Sequence, residues 1–287
     1  MVKDLNKKYS IGVDIGGTNM RAVLFDGEKV ISDYLLATPK ESLENFLIML
    51  KALVEPLILR AENDKVKIKG IGLGVAGMIS HKDRRVIKSP NLSIINDVKL
   101  AFQLESKIKI PVFIENDTYC FTRAEAKFGA GKGYTNVFGI IMGTGIGGGW
   151  WNNGKIYRGF HGSACEHGHM VIDYKEGITF ETAYHKLTQN NPASLAEEAY
   201  RGDTLAQKAF NEIGHDLGIA LANVVNMIDP EIIVLGGGFF ESSDLFLKRA
   251  KKVMSRSVMN PEAKKIKIVK AGLGVFSGAI GAALLAE

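Results

Sequence analysis

The chain has 287 residues, 46% hydrophobic and 23% charged, with 32 glycines against 7 prolines and only two cysteines, Cys120 and Cys165. That length suits two ordinary domains, and the composition excludes disorder, collagen, low-complexity sequence and a disulfide-stapled scaffold. A net charge of +5 from 36 basic and 31 acidic residues forms no basic stripe with interleaved aromatics, so no nucleic-acid partner is expected, while a mild positive field suits an anionic phosphate substrate.

In chain order, apolar runs at Tyr9–Ile15, Met20–Phe25 and Lys29–Leu36, parted by Gly16-Gly17 and Asp26-Gly27, predict a three-strand meander. Residues 40–62 repeat apolar side chains at helical spacing, and Pro56 predicts a kink or an early end there. A glycine-dotted strand over Ile68–Val75, a loop holding Ser89-Pro90-Asn91, a helix from about Val98 to Ser106 and a strand over Val112–Glu115 complete the first half. The second half restarts with a strand at Asn136–Met142, a glycine-rich turn over Gly143–Gly149, a strand from Trp150, and a hairpin turn at Asn152-Asn153-Gly154. Helical patterns over residues 179–189, 194–200 and 204–228 follow, then a strand at Ile232–Leu235, a helix at Leu245–Val258 and a strand at Ile266–Val269. The stretch Gly272–Ala286 falls short of the ~20 apolar residues of a membrane span and is expected to be a buried terminal helix; no membrane association is expected. Both halves begin with a strand, a glycine turn and a returning strand, which predicts a duplicated architecture. No signal peptide pattern opens the chain, and a reducing cytoplasm is the expected location.

Two glycine turns carry the first chemical signal. In Asp14-Ile-Gly-Gly-Thr-Asn19, paired glycines at a strand end let backbone N–H groups approach an anion, and the carboxylate beside them can hold a cation. A lone Gly-Gly hairpin is more often a plain turn. A second turn, Met142-Gly-Thr-Gly-Ile-Gly-Gly-Gly149, again follows an apolar strand, and neither turn leads into the helix that a dinucleotide fold or a P-loop requires. Two such cradles predict a polyphosphate held by Asp14, Gly16, Gly17, Thr18 and Asn19 on one side and by Gly143, Thr144, Gly145 and Gly147 on the other. Gly236, Gly237 and Gly238 either admit a flat nucleoside or serve tight helix–strand packing. Asp117 follows a strand at the start of a helix running to Phe128, where loops deliver catalytic groups, and is the candidate base; its plainer role is an N-cap.

These segments, with Glu115-Asn-Asp-Thr-Tyr-Cys120, Ala124-Glu-Ala126, Cys165-Glu-His-Gly-His169 and Leu235-Gly-Gly-Gly238 in this order, resemble the ROK family of sugar kinases over nearly the whole chain. The resemblance implies an α/β, two-lobed actin-like ATPase fold, a duplicated ribonuclease H-like architecture with ATP and sugar in the interlobe cleft. The expected lobes are residues 1–116, joined by the terminal helix 276–287, and residues 117–275. It implies ATP- and Mg²⁺-dependent phosphorylation of a hexose at its 6-hydroxyl, with Asp117 as general base and Asp14 holding Mg²⁺ through water. The sugar contacts implied are Gly77, Asn91, Asn116, Asp117, Glu166, His169 and Glu181, side chains and loops with the paired donors and acceptors that a polyol demands. For Asn91, a turn role after Pro90 is the alternative. A small-molecule sugar partner and a homodimer are expected. The first strand begins near Tyr9, so no DNA-binding head is expected before it.

The chain departs from the family at one place. Many relatives carry a structural zinc site formed by a motif histidine and a following cysteine cluster; here no cysteine follows His169, so that site cannot form and no structural zinc is expected. The placement of Glu181 then lacks its metal support, and packing of Phe180 or Ile178 is the expected substitute. A different metal set, His161, Cys165, His167 and His169, shares a face from Cys165 onward only if the segment is a strand. Glucose-type hexose is the first choice of substrate, with allose or N-acetylmannosamine as alternatives. A sugar sensor without turnover and a polyphosphate-dependent kinase are the remaining readings.

Overall fold

The computed structural model describes residues 8–287; the start of the first expected lobe and the segment read as lacking a signal peptide lie partly outside the described residues. The chain divides into two compact units, one comprising the described residues up to Gly129 with Arg158–Ala164 and Leu273–Glu287, the other Ala130–Tyr157 with Cys165–Gly272. The helix after Asp117, expected at the head of the second lobe, clusters with the first unit.

In the first unit, β1 (Lys8–Ile15), β2 (Asn19–Phe25) and β3 (Val30–Ala37) form the expected meander. α1 (Leu43–Asn63) starts at the Ser42 cap and continues past Pro56, so the early end does not occur. The loss of one backbone donor is outweighed by an apolar face, Phe46, Leu50, Leu53, Val54 and Leu57, buried against the sheet. β4 (Lys67–Val75) is followed by a small hairpin, β5 (Met78–Ser80) and β6 (Arg85–Lys88), within a stretch expected to be loop. Then come α2 (Leu100–Ile108), β7 (Val112–Asn116) and α3 (Asp117–Lys127). The sheet order is β3-β2-β1-β4-β7, with β1, β4 and β7 parallel.

The second unit repeats the scheme. β8 (Asn136–Met142), β9 (Ile146–Asn152) and β10 (Lys155–Ile156) form an antiparallel meander. A short pair, β11 (Val171–Asp173) and β12 (Ile178–Thr179), leads into α4 (Phe180–Thr188), α5 (Pro192–Tyr200) and α6 (Thr204–Ile228). β13 (Ile232–Gly236), α7 (Leu247–Ser257) and β14 (Lys267–Lys270) follow, giving the order β10-β9-β8-β13-β14 with β8, β13 and β14 parallel. The glycine turn is shorter than expected. Gly147, Gly148 and Gly149 lie inside β9, paired with Ile141, Ile140 and Gly139. Gly148 is needed there because a Cβ would fall 2.7 Å from the Cys165 carbonyl oxygen and 2.9 Å from His167 Cβ.

α8 (Ser277–Ala283) returns to the first unit and explains the glycine-dotted strands. Side chains alternate across a strand, so Ile71, Leu73 and Val75 point to the core beneath α1 while Gly70, Gly72 and Gly74 point to the opposite face. A Cβ on Gly72 would sit 1.8 Å from the Ala282 carbonyl oxygen, one on Gly12 1.9 Å from that of Ala279, and one on Gly281 1.7 Å from that of Cys120. α8 therefore meets β1, β4 and α3 backbone to backbone.

Candidate active site

Parallel strands end at a common edge, and loops leaving their carboxyl ends collect ligands in open α/β sheets. In the first unit, Ile15, Val75 and Asn116 lie abreast at the ends of β1, β4 and β7. The β1–β2 turn closes with Gly16 N–H donating to the Asn19 carbonyl at 3.0 Å, and the Thr38 hydroxyl holds the Gly16 carbonyl at 2.8 Å. Gly17 lies against Asn91, whose Cβ would be 2.9 Å from an added Cβ, so the sugar candidate and the phosphate turn are neighbours. Gly77, at φ +133° with an added Cβ only 2.2 Å from the Lys88 carbonyl oxygen, is irreplaceable for steric reasons, and its own carbonyl receives Asn116 Nδ2 at 3.1 Å.

Asn116, not Asp117, caps α3: its Oδ1 accepts from the N–H groups of Thr118 and Tyr119 at 2.9 and 3.2 Å. The capping role weighed for Asp117 is thus taken by its neighbour, and Asp117 occupies the first helical turn. Asp14 is half-buried, and burial, reinforced by the charge of Asp117 and opposed by Arg21, pushes its pKa up to about 7. Gly278 of α8 leaves room for it, since a Cβ there would fall 2.4 Å from Asp14 Oδ2. Two carboxylates at a strand edge, the charge of Asp117 raising the proton affinity of Asp14, are oxygen donors for a hard divalent cation, so the residues fit Mg²⁺.

In the second unit, the residues expected to hold phosphate and sugar also converge. Gly143, Thr144 and Gly145 form the turn between β8 and β9, closed by Gly143 N–H donating to the Gly145 carbonyl at 3.0 Å. Glu181, in the first turn of α4, accepts the Ile146 N–H at 2.5 Å and lies within 2.9 Å of a Cβ built on Gly145 and 3.2 Å of one on Gly168. It therefore joins the turn to the Glu166–His169 segment. Desolvation and the Glu181 charge raise the Glu166 pKa against the pull of His169, which places the three polar groups in one field. Tyr184, one turn beyond Glu181, donates its hydroxyl to the Gly143 carbonyl at 2.8 Å; no motif marks it, although its helical spacing from Glu181 is visible. Gly236 ends β13, Gly237 lies at φ +92° with an added Cβ 2.1 Å from the Met142 carbonyl oxygen, and Gly238 opens a 3-10 segment before α7. Close strand packing accounts for Gly237. Gly147, inside β9, follows the Gly143–Gly145 turn rather than lying in it.

The second metal set does not assemble as a strand face, because His167–His169 form a 3-10 turn. Among the described residues no group of three His, Cys, Asp or Glu side chains is placed to hold a metal ion. His167 is buried between the ring edges of Phe138 and Phe180, at centroid distances of 5.8 and 5.7 Å, and neither ring nitrogen has a hydrogen-bond partner among the described residues. Burial lowers the His167 pKa to about 4. An unfolded histidine takes its proton near 6.5, so the unfolded chain binds more protons between these values and stability is lost as pH falls from about 6.5 through about 4. His167→Leu is expected to flatten that fall, leaving the variant about 2–3 kcal/mol less acid-sensitive at pH 4. Urea midpoints at pH 7.5 and 4 check this; parallel losses in both proteins would refute it.

The ROK family model matches residues 10–287. An N-acetylgalactosamine kinase from a Shewanella species is 32% identical over 304 residues, covering 96% of this chain and 95% of that protein. A xylose repressor from Bacillus subtilis is 29% identical over 96% of this chain and 77% of its own length. A ROK family glucokinase from Streptomyces griseus, solved in complex with glucose and AMPPNP, superposes with a TM-score of 0.78 at 27% identity, over 96% of this chain and 98% of that one.

Proposed function

The chain belongs to the ROK family, and on that premise we propose that it is an ATP-dependent sugar kinase, transferring the γ-phosphoryl group to the 6-hydroxyl of a glucose-type hexose with Asp117 as the base. The observation that carries this reading is the pair of carboxylates, Asp14 and Asp117, set beside a glycine turn at the carboxyl ends of parallel strands. Phosphoryl transfer asks a protein for position and charge rather than covalent chemistry. Asp117 accepts the proton of the attacking hydroxyl; Asn116, fixed by its bond to Gly77, and Asn91, seated on Gly17, hold hydroxyls of the ring. Glu166, His169 and Glu181 supply the other sugar-binding groups, and the backbone N–H groups of the two glycine turns bind phosphate oxygens. Mg²⁺, when bound, neutralises charge on the transferred phosphoryl oxygens. Asp14 is the residue that would hold it. A kinase drawing on ATP is expected to work in the cytoplasm. Among the described residues no helix is long and apolar enough to cross a membrane.

A second reading, a sugar-responsive regulator without turnover, draws on the xylose repressor relative; a base and two phosphate turns are superfluous to it. The test is ADP release with ATP and Mg²⁺ across glucose, mannose, allose, fructose, N-acetylmannosamine and N-acetylgalactosamine, with polyphosphate as an alternative donor. Release dependent on one sugar supports the kinase and names its substrate. Binding of a sugar without release by any overturns it in favour of the regulator.

A further inference from the structure

One carboxylate in the first unit is more deeply buried than either acid discussed so far, and the chemistry above leaves it without a role. Glu115, the residue before Asn116, is fully buried at the end of β7. Its Oε1 accepts from the Asn116 N–H at 3.0 Å and meets His81 Nε2 at 2.8 Å. Its Oε2 takes Arg158 through Nε at 2.7 Å and through the terminal nitrogen at 2.5 Å, with Arg123 at 3.7 Å. Burial alone would raise the Glu115 pKa, but the His81 hydrogen bond and the charge of Arg158 hold it below the usual carboxylate range.

Three separate stretches of chain meet on this one side chain. The first is the Asn116–Asp117 backbone. The second is the hairpin after Gly77, through His81. The third is the Arg158–Ala164 loop, closed on itself by Ala164 N–H donating to the Arg158 carbonyl at 3.1 Å and anchored at its far end by the Tyr119 hydroxyl on the Ala164 carbonyl at 2.6 Å. That loop ends two residues before Glu166. Burying a charge among two arginines is a poor route to stability, since apolar replacements of such pairs are often neutral or better. It is a good route to fixed geometry. We propose that Glu115 is a positioning residue for phosphoryl transfer, its carboxylate locking the Asn116–Asp117 backbone, the His81 hairpin and the Arg158–Ala164 loop into a single frame.

The inference rests on the kinase reading, and a misplacement of about 1 Å in a reacting group costs roughly 10²-fold in rate. In Glu115→Gln, which keeps the shape but loses the charge that holds Arg158, kcat with the accepted sugar is expected to fall 10- to 100-fold while the sugar Kd changes less than fivefold. Arg158→Met should behave alike, Arg158→Lys should recover at least threefold of that loss, and the double variant Glu115→Gln/Arg158→Met should be no slower than its slower parent. A kcat within twofold of wild type for Glu115→Gln, or single losses that multiply in the double, overturns the proposal. Should Glu115→Gln fail to unfold cooperatively, the two Arg158 variants decide, equal losses in both overturning it. A wild type silent with every sugar removes the kinase reading and this inference with it; an active wild type with an unaffected Glu115→Gln removes the inference alone.

Discussion

Asp117→Asn is expected to lower kcat by about 10³-fold, within the 10²–10⁴ that a positioned general base contributes, while leaving the sugar Kd within a few-fold of wild type. The expectation is sharp because the structural cost of the change is small. The cap of α3 belongs to Asn116, whose Oδ1 already serves the Thr118 and Tyr119 N–H groups. The bond that Asp117 Oδ1 accepts from the Thr118 N–H at 2.9 Å can be kept by an asparagine oxygen. What is lost is a negative charge in the first helical turn, worth ~0.3–1 kcal/mol, offset by relief of the repulsion with Asp14. Proton acceptance is lost outright. Single-turnover rates together with sugar titration separate the two effects; a variant retaining a tenth of wild-type kcat would refute the base, and one that loses sugar binding and activity in proportion would make Asp117 a binding group only.

Local signals located most of the elements and the residues that line the strand ends. Apolar runs ending at glycine turns mark β1, β2, β8 and β13, and the order of motifs marks the family. The misplacements share a physical cause: each depends on what lies across from a residue, which spacing along the chain does not report. Gly147, Gly148 and Gly149 belong to a strand because the segment around Cys165–His167 lies on Gly148. Pro56 does not end α1 because buried apolar side chains from Phe46 to Ala61 hold the helix on both sides of it. The β5–β6 hairpin is short, and its pairing of Ile79 with Val86 is too brief for a periodic signal. The Arg158–Ala164 loop joins the first unit through one ion pair and one hydroxyl, contacts that carry no sequence pattern. Glu181 was legible by motif but not by support; its anchor is the Ile146 N–H.

Asp14→Asn should separate the cost of holding a carboxylate at the strand edge from its use. The folded pKa of about 7 stands above the unfolded value near 3.9, so between these values the folded protein binds more protons than the unfolded chain. Stability then falls as pH rises from about 4 to about 7 and the full penalty is present above 7. At ~1.4 kcal/mol per pK unit the upper bound is ~4 kcal/mol, and partial exposure of the side chain reduces this to about 2. Asp14→Asn is therefore expected to be more stable than wild type at pH 8 by about 2 kcal/mol and no more stable at pH 4, while ATP-dependent transfer falls at least 10²-fold. A divalent cation bound at Asp14 favours the ionised form, so added Mg²⁺ with nucleotide should raise the thermal midpoint of wild type at pH 8 and leave that of the variant nearly unchanged. If the two proteins differ equally at both pH values, burial of the Asp14 charge is not what sets the difference. If Mg²⁺ with nucleotide stabilises both alike, the metal is held elsewhere, and the strand edge stores repulsion between Asp14 and Asp117 that the reaction does not use.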